Sequence, residues 1–287
     1  MRNTFAREIT KLAKENEKIV LLSGDIGNRM FDQFKLVNKE RFINCGIAEG
    51  NMMSMAAGMA LSGLRPVLYT ITPFTTARCF EQIKIGAAYH NSNIIIIGTG
   101  SGLSYAELGP THHSLEDMAI IRSIPDINVC APADKIELIF QLREAIHSSR
   151  PTYIRIGKKG EPDLSSKLES YGICKANILR KGKKYLLLGV GPIIGEALKA
   201  AELLKNDGIE LCVASMGGLC PLDTAFLEKM ISDDFTHWIT LEEHCIVGGL
   251  GTSIIEWISD LNYSNNIHLK RLGVPKFFIN KLGNQEY

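Results

Sequence analysis

Apolar runs alternate with helix-period stretches along this chain, in two successive blocks. Phe5, Ile9, Leu12 and Ala13 share one face over 4–16, the spacing of an amphipathic helix. An apolar strand at 18–23 stops at Gly24-Asp25. Ile43 and Asn44 read as the end of a buried strand, Gly46 as a tight turn, and 47–63 as a helix rich in Ala, Met, Ser and Gly. A strand at 66–70 completes a strand–helix–strand unit. A second helix is predicted over 79–89. Ile94-Ile95-Ile96-Ile97-Gly98 is apolar throughout, which suits a parallel strand covered on both faces. Helices at 118–123 and 134–147, separated by a strand at 128–130, lead to a last strand at 152–156.

The stretch 158–167 is polar and turn-rich, the composition of a linker. Beyond it, strands at 185–189, 210–214 and 238–241 alternate with helices at 193–207, 224–232 and 251–261. Strands alternating with helices predict an α/β chain of two doubly wound domains, a larger one at 1–160 and a smaller one at 168–287.

Composition narrows the function. The 287 residues can bury two cores, and a formal net charge of +1 gives no bulk attraction to nucleic acid or anionic membrane. No apolar run approaches the roughly 18 residues that span a bilayer, and Met1 to Glu8 carries no secretory signal, so a cytoplasmic protein is expected. Seven scattered cysteines without a C-x-x-C spacing read as reduced core residues, not a disulfide or zinc framework, and no metal site is expected in this chain.

Glu49 is the only charged residue between Arg41 and Arg65. A carboxylate in the first turn complements the helix dipole. In so apolar a setting it is also costly unless something uses it. Ligands in such folds bind beyond the carboxyl ends of the strands. Those ends carry Gly24 to Arg29, Gly46 to Glu49, Thr70 to Phe74, the segment from Gly98 to His113, and Lys158. Segment 99–113 is long and without obvious structure, hence a candidate functional loop. Its His112-His113 pair reads equally as loop polarity before a helix start.

Three blocks in order resemble the pyrimidine-binding domain of transketolases: Gly46-Ile47-Ala48-Glu49 with its small-residue helix, Pro73-Phe74-Thr75-Thr76-Ala77-Arg78-Cys79-Phe80-Glu81-Gln82-Ile83, and Gly109-Pro110-Thr111-His112-His113-Ser114-Leu115-Glu116-Asp117. Glu242-Glu243-His244 with Gly248-Gly249-Leu250-Gly251 resembles the family's carboxy-terminal domain. The chain as a whole resembles the carboxy-terminal subunit of a split transketolase, a plan shared with deoxyxylulose-phosphate synthases and 2-oxoacid dehydrogenase β subunits.

The resemblance implies thiamine diphosphate as cofactor, with Glu49 sharing a proton with its aminopyrimidine so that the ring's amino group can take the thiazolium proton. A carboxyl kept out of water is raised in pKa, which favours that bond. Phe74 matches an aromatic that stacks on the pyrimidine, Ile71 stands where a second aromatic is usual, and Asp25 matches a carboxylate near the cofactor. Phe74 equally suits ordinary core, and Asp25 a turn. Arg78, inside the second block, falls among the cofactor-binding positions. His112 matches a histidine that faces the donor carbonyl, whereas His113 is expected to pack. Arg2 and Lys158 match positions where related enzymes hold the sugar phosphate with arginine, and Arg29 falls where transketolases use a serine, although each also suits a solvated surface. Arg155 is expected in packing or a salt bridge. Leu108 and Gly100 depart from the family, which has an aspartate that reads a substrate hydroxyl at the first and a histidine of the sugar channel at the second. Losing such a group weakens discrimination for that hydroxyl.

The Gly-Asp-Gly motif that holds the diphosphate and its divalent metal has no counterpart here; Gly24-Asp25-Ile26 is not it, and Gly189 to Gly195 reads as a strand–helix turn. The expectation is therefore a half-site. An amino-terminal transketolase subunit would bring the diphosphate and Mg2+ or Ca2+, in an α2β2 assembly acting on small sugars. Ala56, Ala57, Gly58, Ala60 and Gly63 would let a partner helix approach, and Glu242, Glu243 and His244 would serve a dimer contact. Transfer of a two-carbon ketol unit is the leading expectation. The alternatives are a synthase or decarboxylating subunit using pyruvate, and a non-catalytic assembly subunit.

Overall fold

The strands in chain order are β1 (Ile19–Ser23), β2 (Phe42–Asn44), β3 (Arg65–Ile71), β4 (Ile95–Thr99), β5 (Asn128–Cys130), β6 (Thr152–Ile156), β7 (Asn177–Arg180), β8 (Tyr185–Val190), β9 (Leu211–Ser215), β10 (Gly218–Cys220), β11 (His237–Cys245) and β12 (His268–Val274). This is a computed structural model; it describes all residues except 28, 166–168, 170, 262–266, 282, 286 and 287. Part of the expected linker (Ser166 and Lys167) and the expected start of the second domain at 168 therefore lie outside the described residues.

The first sheet runs β10-β5-β6-β4-β3-β1-β2 and the second β12-β11-β8-β9-β7. Both are parallel apart from one antiparallel strand each, β10 against β5 and β7 against β9. The isoleucine run explains why β4 lies in the middle. Side chains alternate between faces of a strand. Ile94 and Ile96 enter the core under helix Glu49–Leu61, while Ile95 and Ile97 enter the core under helices Arg2–Glu15 and Lys135–His147. With both faces covered, no polar position is tolerated. The α/β, doubly wound architecture is as expected.

Several local expectations are corrected. β2 is a half-exposed edge strand, not a buried one, because nothing pairs beyond it among the described residues. The predicted helix over 79–89 is composite: a 3₁₀ turn (Ala77–Cys79), one α turn (Phe80–Gln82) and a π-helix (Ile83–Tyr89). Ala56 and Ala57 face this chain's own core, with Gly86 so close to Ala57 that a Cβ there would lie 3.0 Å from it. They are not available to a partner, unlike Gly58, which is open to solvent.

Of the residues expected at a dimer contact, Glu242 braces the second domain from within, while Glu243 and His244 reach across to the first. Glu242 and His244 are buried. Glu242 accepts from the Leu250 and Gly251 amides, and His244 Nε2 accepts from Ala119 of the first domain. Arg155 forms the expected salt bridge, to Asp117 at 2.9 Å, inside the protein. All seven cysteines are free and four of them buried, as reduced core residues should be.

Candidate active site

The N-terminus of helix Glu49–Leu61 opens where β1 and β3 end, and the turn at Gly46 (φ +67) delivers Glu49 into its first position. Glu49 is only 3% exposed. Read from the sequence as a lone acid, it has a partner: Arg78 Nη1 donates to its Oε2 at 2.8 Å. A buried carboxylate with a charge-assisted bond is far less costly than an unpaired one. Gly24 closes the floor. A Cβ on it would lie 2.9 Å from Thr70 Oγ1 and 3.5 Å from Glu49 Cγ. That threonine hydroxyl is buried without a hydrogen-bond partner, so the floor holds an unused polar atom beside the acid.

β3 ends at half-buried Ile71, which caps the short helix Thr72–Thr75 that carries Phe74 to the partner of Glu49, Arg78. The Arg78 guanidinium carbon lies 4.1 Å from the centre of the Phe74 ring. His112 meets Phe74 edge-on, with ring centres 5.2 Å apart, and Thr111 Oγ1 is 2.9 Å from its Nδ1. Burial pushes the His112 imidazole below its ordinary pKa, and Arg78 and His113 add to that. Both effects favour the neutral form of the ring. The direction of the Thr111–His112 bond follows the ring's tautomer, and the tautomer protonated at Nε2 presents a donor there. His113 packs as expected, buried with Nε2 3.4 Å from the Ala106 carbonyl.

Beyond His112 the row continues to Tyr105, whose ring centre is 6.2 Å from that of His112. Gly100 (φ +77) lies directly under this ring: a Cβ would fall 2.0 Å from Tyr105 Cε2. The room left by a glycine at 100 is thus taken by Tyr105. Lys158 Nζ sits 4.4 Å from the same ring and is bonded to Glu107. Leu108 ends the neighbouring 3₁₀ turn and is 49% exposed.

Lys158 also lines a cavity of about 300 Å³ with Arg2, Lys135 and Lys159, and with Glu161 and Asp163, which pair with the N-terminal ammonium and with Lys135. Arg2 reaches toward the strand ends, where its charge and that of Tyr105 act on the buried Tyr69 phenol. Arg29 does not line this cavity. It is exposed, in a left-handed turn (φ +64), so the three expected phosphate residues are not brought together. Asp25 is at the mouth, exposed, with Asn44 Nδ2 donating to it at 2.9 Å. Among the described residues no three His, Cys, Asp or Glu side chains are arranged to hold a metal ion.

Family models fall on this arrangement. That for "transketolase, pyrimidine binding domain" matches residues 1–161, and that for "transketolase, C-terminal domain" matches 174–286. The chain belongs to the transketolase family. It is 30% identical to one of the subunits of apulose-4-phosphate transketolase from Phocaeicola vulgatus, over 96% of this chain and 87% of that one. It is 32% identical to 1-deoxy-D-xylulose-5-phosphate synthase of Chlorobium phaeovibrioides, over 96% of this chain but 43% of that longer one. A solved structure described as a split gene transketolase, inactive beta4 tetramer, superimposes with a TM-score of 0.87 at 31% identity, covering 96% of this chain and 89% of that one.

Within this transketolase-family site, sequence reasoning missed Tyr105, Thr70 and Lys135. Tyr105 is the only aromatic between Thr99 and Thr111, a signal available in the sequence. Thr70 stands at a strand end with nothing further to single it out, and for Lys135 there is no signal.

Proposed function

We propose that this chain is the carboxy-terminal subunit of a split, thiamine diphosphate-dependent transketolase, transferring a two-carbon ketol unit from a ketose phosphate to an aldehyde acceptor. The observation that carries the reading is Glu49, buried at a helix N-terminus and joined through Arg78, Phe74, His112 and Tyr105 to a cationic cavity. The residues present suit the aminopyrimidine end of the cofactor: an enclosed carboxyl, an aromatic face and the glycine floor with its unpartnered hydroxyl. Among the described residues no three His, Cys, Asp or Glu side chains are grouped to hold a divalent metal ion.

Thiamine diphosphate, when bound, supplies a nucleophilic carbon that proteins do not have. Glu49 would hold a proton shared with the aminopyrimidine, and Phe74 would offer a flat surface for that ring. Arg78, which lies on both, has to yield its place. Neutral His112 donates from Nε2 to the donor's carbonyl oxygen as charge develops there. Arg2 and Lys158 receive the distal phosphate, with Lys158 released from Glu107.

The rest of the site belongs to an amino-terminal polypeptide that holds the diphosphate through Mg2+ or Ca2+, in an α2β2 assembly in the cytoplasm. No described helix is long and apolar enough to cross a membrane. Ile47, 78% exposed beside Glu49, is the natural start of the contact with that polypeptide. As the relative described as an inactive β4 tetramer illustrates, the chain alone is expected to be inactive.

The test is reconstitution with an amino-terminal transketolase subunit, thiamine diphosphate and Mg2+. Ketol transfer without carbon dioxide release is expected, falling at least about a hundredfold in Glu49→Gln. Near-normal turnover in Glu49→Gln would refute the assignment. Carbon dioxide release from pyruvate would favour the synthase-type reaction instead.

A further inference from the structure

The loop that presents Tyr105, Glu107 and His112 is fastened at its neck by a residue 140 positions away. Glu243 stands near the end of β11, in the second sheet. Its Oε1 accepts the Leu103 N–H at 2.6 Å. A Cβ on Gly102 (φ +60) would lie 2.7 Å from that carboxylate, so only a glycine lets the acid lie against the loop backbone. Gly102 is also where the loop closes on itself, because the Ser114 N–H donates to its carbonyl at 2.9 Å.

The same strand end reaches the far side of the neck. The Cys245 N–H donates to Leu115 O at 2.8 Å, and Arg155 Nη2 donates to both Ser114 O and Glu243 O. Gln285 Nε2 donates to both oxygens of the Glu243 carboxylate at 2.9 Å. Side-chain contact from the second domain to this neck thus converges on one acid. Past the neck the loop is held by short-range turns of its own, such as Ala106 N to Leu103 O and His112 N to Gly109 O, and by the contacts of Glu107 and Tyr105 with Lys158 and of His112 with Phe74.

We propose that Glu243 is a positioning residue: through it the second domain sets the conformation of the loop that carries His112 and Tyr105 to the substrate. A segment of this length has many conformations open to it once its neck is released. A displacement of about 1 Å at a reacting group is enough to cost about a hundredfold in rate. This also gives the second domain, which supplies no group to the row from Glu49 to Lys158, a part in the reaction.

Amide hydrogen exchange on the full chain tests this without reference to activity. In Glu243→Ala, peptides spanning 101–113 should exchange about tenfold faster, while β1 and helix Glu49–Leu61 stay as in the wild type. Glu243→Gln, which keeps an acceptor oxygen, should restore protection. Gly102→Ala, which displaces the carboxylate from the loop side, should release the same peptides. Unchanged exchange over 101–113 in both Glu243→Ala and Gly102→Ala overturns the proposal. So does a rise spread evenly over both sheets, which would make Glu243 a packing residue.

The kinetic arm rests on the transketolase reading and uses the complex with the amino-terminal subunit, with D-fructose 6-phosphate as the donor probe. Glu243→Ala should lower kcat, by up to about a hundredfold, more than it raises KM, and Glu243→Gln should reverse the change. If the wild-type complex showed no transfer, that would count against the transketolase reading, while the exchange result would still decide the role of Glu243.

Discussion

Arg78 and Glu49, 29 residues apart in the chain, form a 2.8 Å ion pair at the entrance of the site. Glu49 is enclosed, whereas the Arg78 side chain is 45% exposed, so the loss of each partner has a different consequence. Arg78→Ala strands a buried carboxylate and is expected to lower stability by roughly 1–2 kcal/mol. Glu49→Gln removes the charge that needs compensation. The double variant Glu49→Gln/Arg78→Ala should therefore be more stable than Arg78→Ala alone, as read from urea unfolding of the four proteins.

Gly100 and Tyr105 divide one space between them. Gly100→Ala places a methyl group 2.0 Å from the phenol ring and forces an L side chain to φ +77. The expected cost is roughly 1–3 kcal/mol. Tyr105→Ala in the same chain should recover the steric part and leave the backbone part. Urea unfolding separates the two.

Arg2 and Lys158 reach one cavity from different ends of the first domain. Arg2→Ala and Lys158→Ala should each raise KM for a phosphorylated donor about tenfold, with kcat within about twofold, because the phosphate is bound alike in ground and transition states. The effect should shrink for a donor without phosphate. Steady-state kinetics of the reconstituted enzyme check it.

His244 carries a pH signature. Burial pushes its imidazole down to about 4, with Asp117 pulling the other way and Arg155 adding to the depression. Unfolded, it titrates near 6.5. Its contribution to stability is therefore complete above pH 6.5 and is lost as the pH falls toward 4, a loss of about 3 kcal/mol. His244→Gln, able to donate to Cys245 O and accept from Ala119 N–H, should flatten that limb in denaturation curves at pH 7.5, 6 and 5.

What could be read from the sequence followed from period and from chain order. Ile94 to Gly98 announces a central strand because every position is apolar, and the site's strand-end positions follow from the alternation of strands and helices. β10 could not be read: Gly218-Leu219-Cys220 is too short to show a period, and its partner β5 lies across the linker. The π-helix Ile83–Tyr89 has the same apolar residues as an α-helix and differs only in how they are wound. The pairings that matter most, Arg78 with Glu49 and Glu243 with Leu103, join residues whose separation leaves no local trace. The small-residue stripe was legible as a close contact but not as to which neighbour it meets, since alanine suits a helix of the same chain as well as a foreign one.

β10 bears on whether the two halves of this chain are modules. It covers the open side of β5 with backbone from the second domain. A fragment cut at 161 would leave that side's amides and carbonyls unpaired, an invitation to edge-to-edge association. Trading the second domain for a relative's would therefore exchange a strand of the first sheet as well, and a graft that ignores Gly218–Cys220 should aggregate.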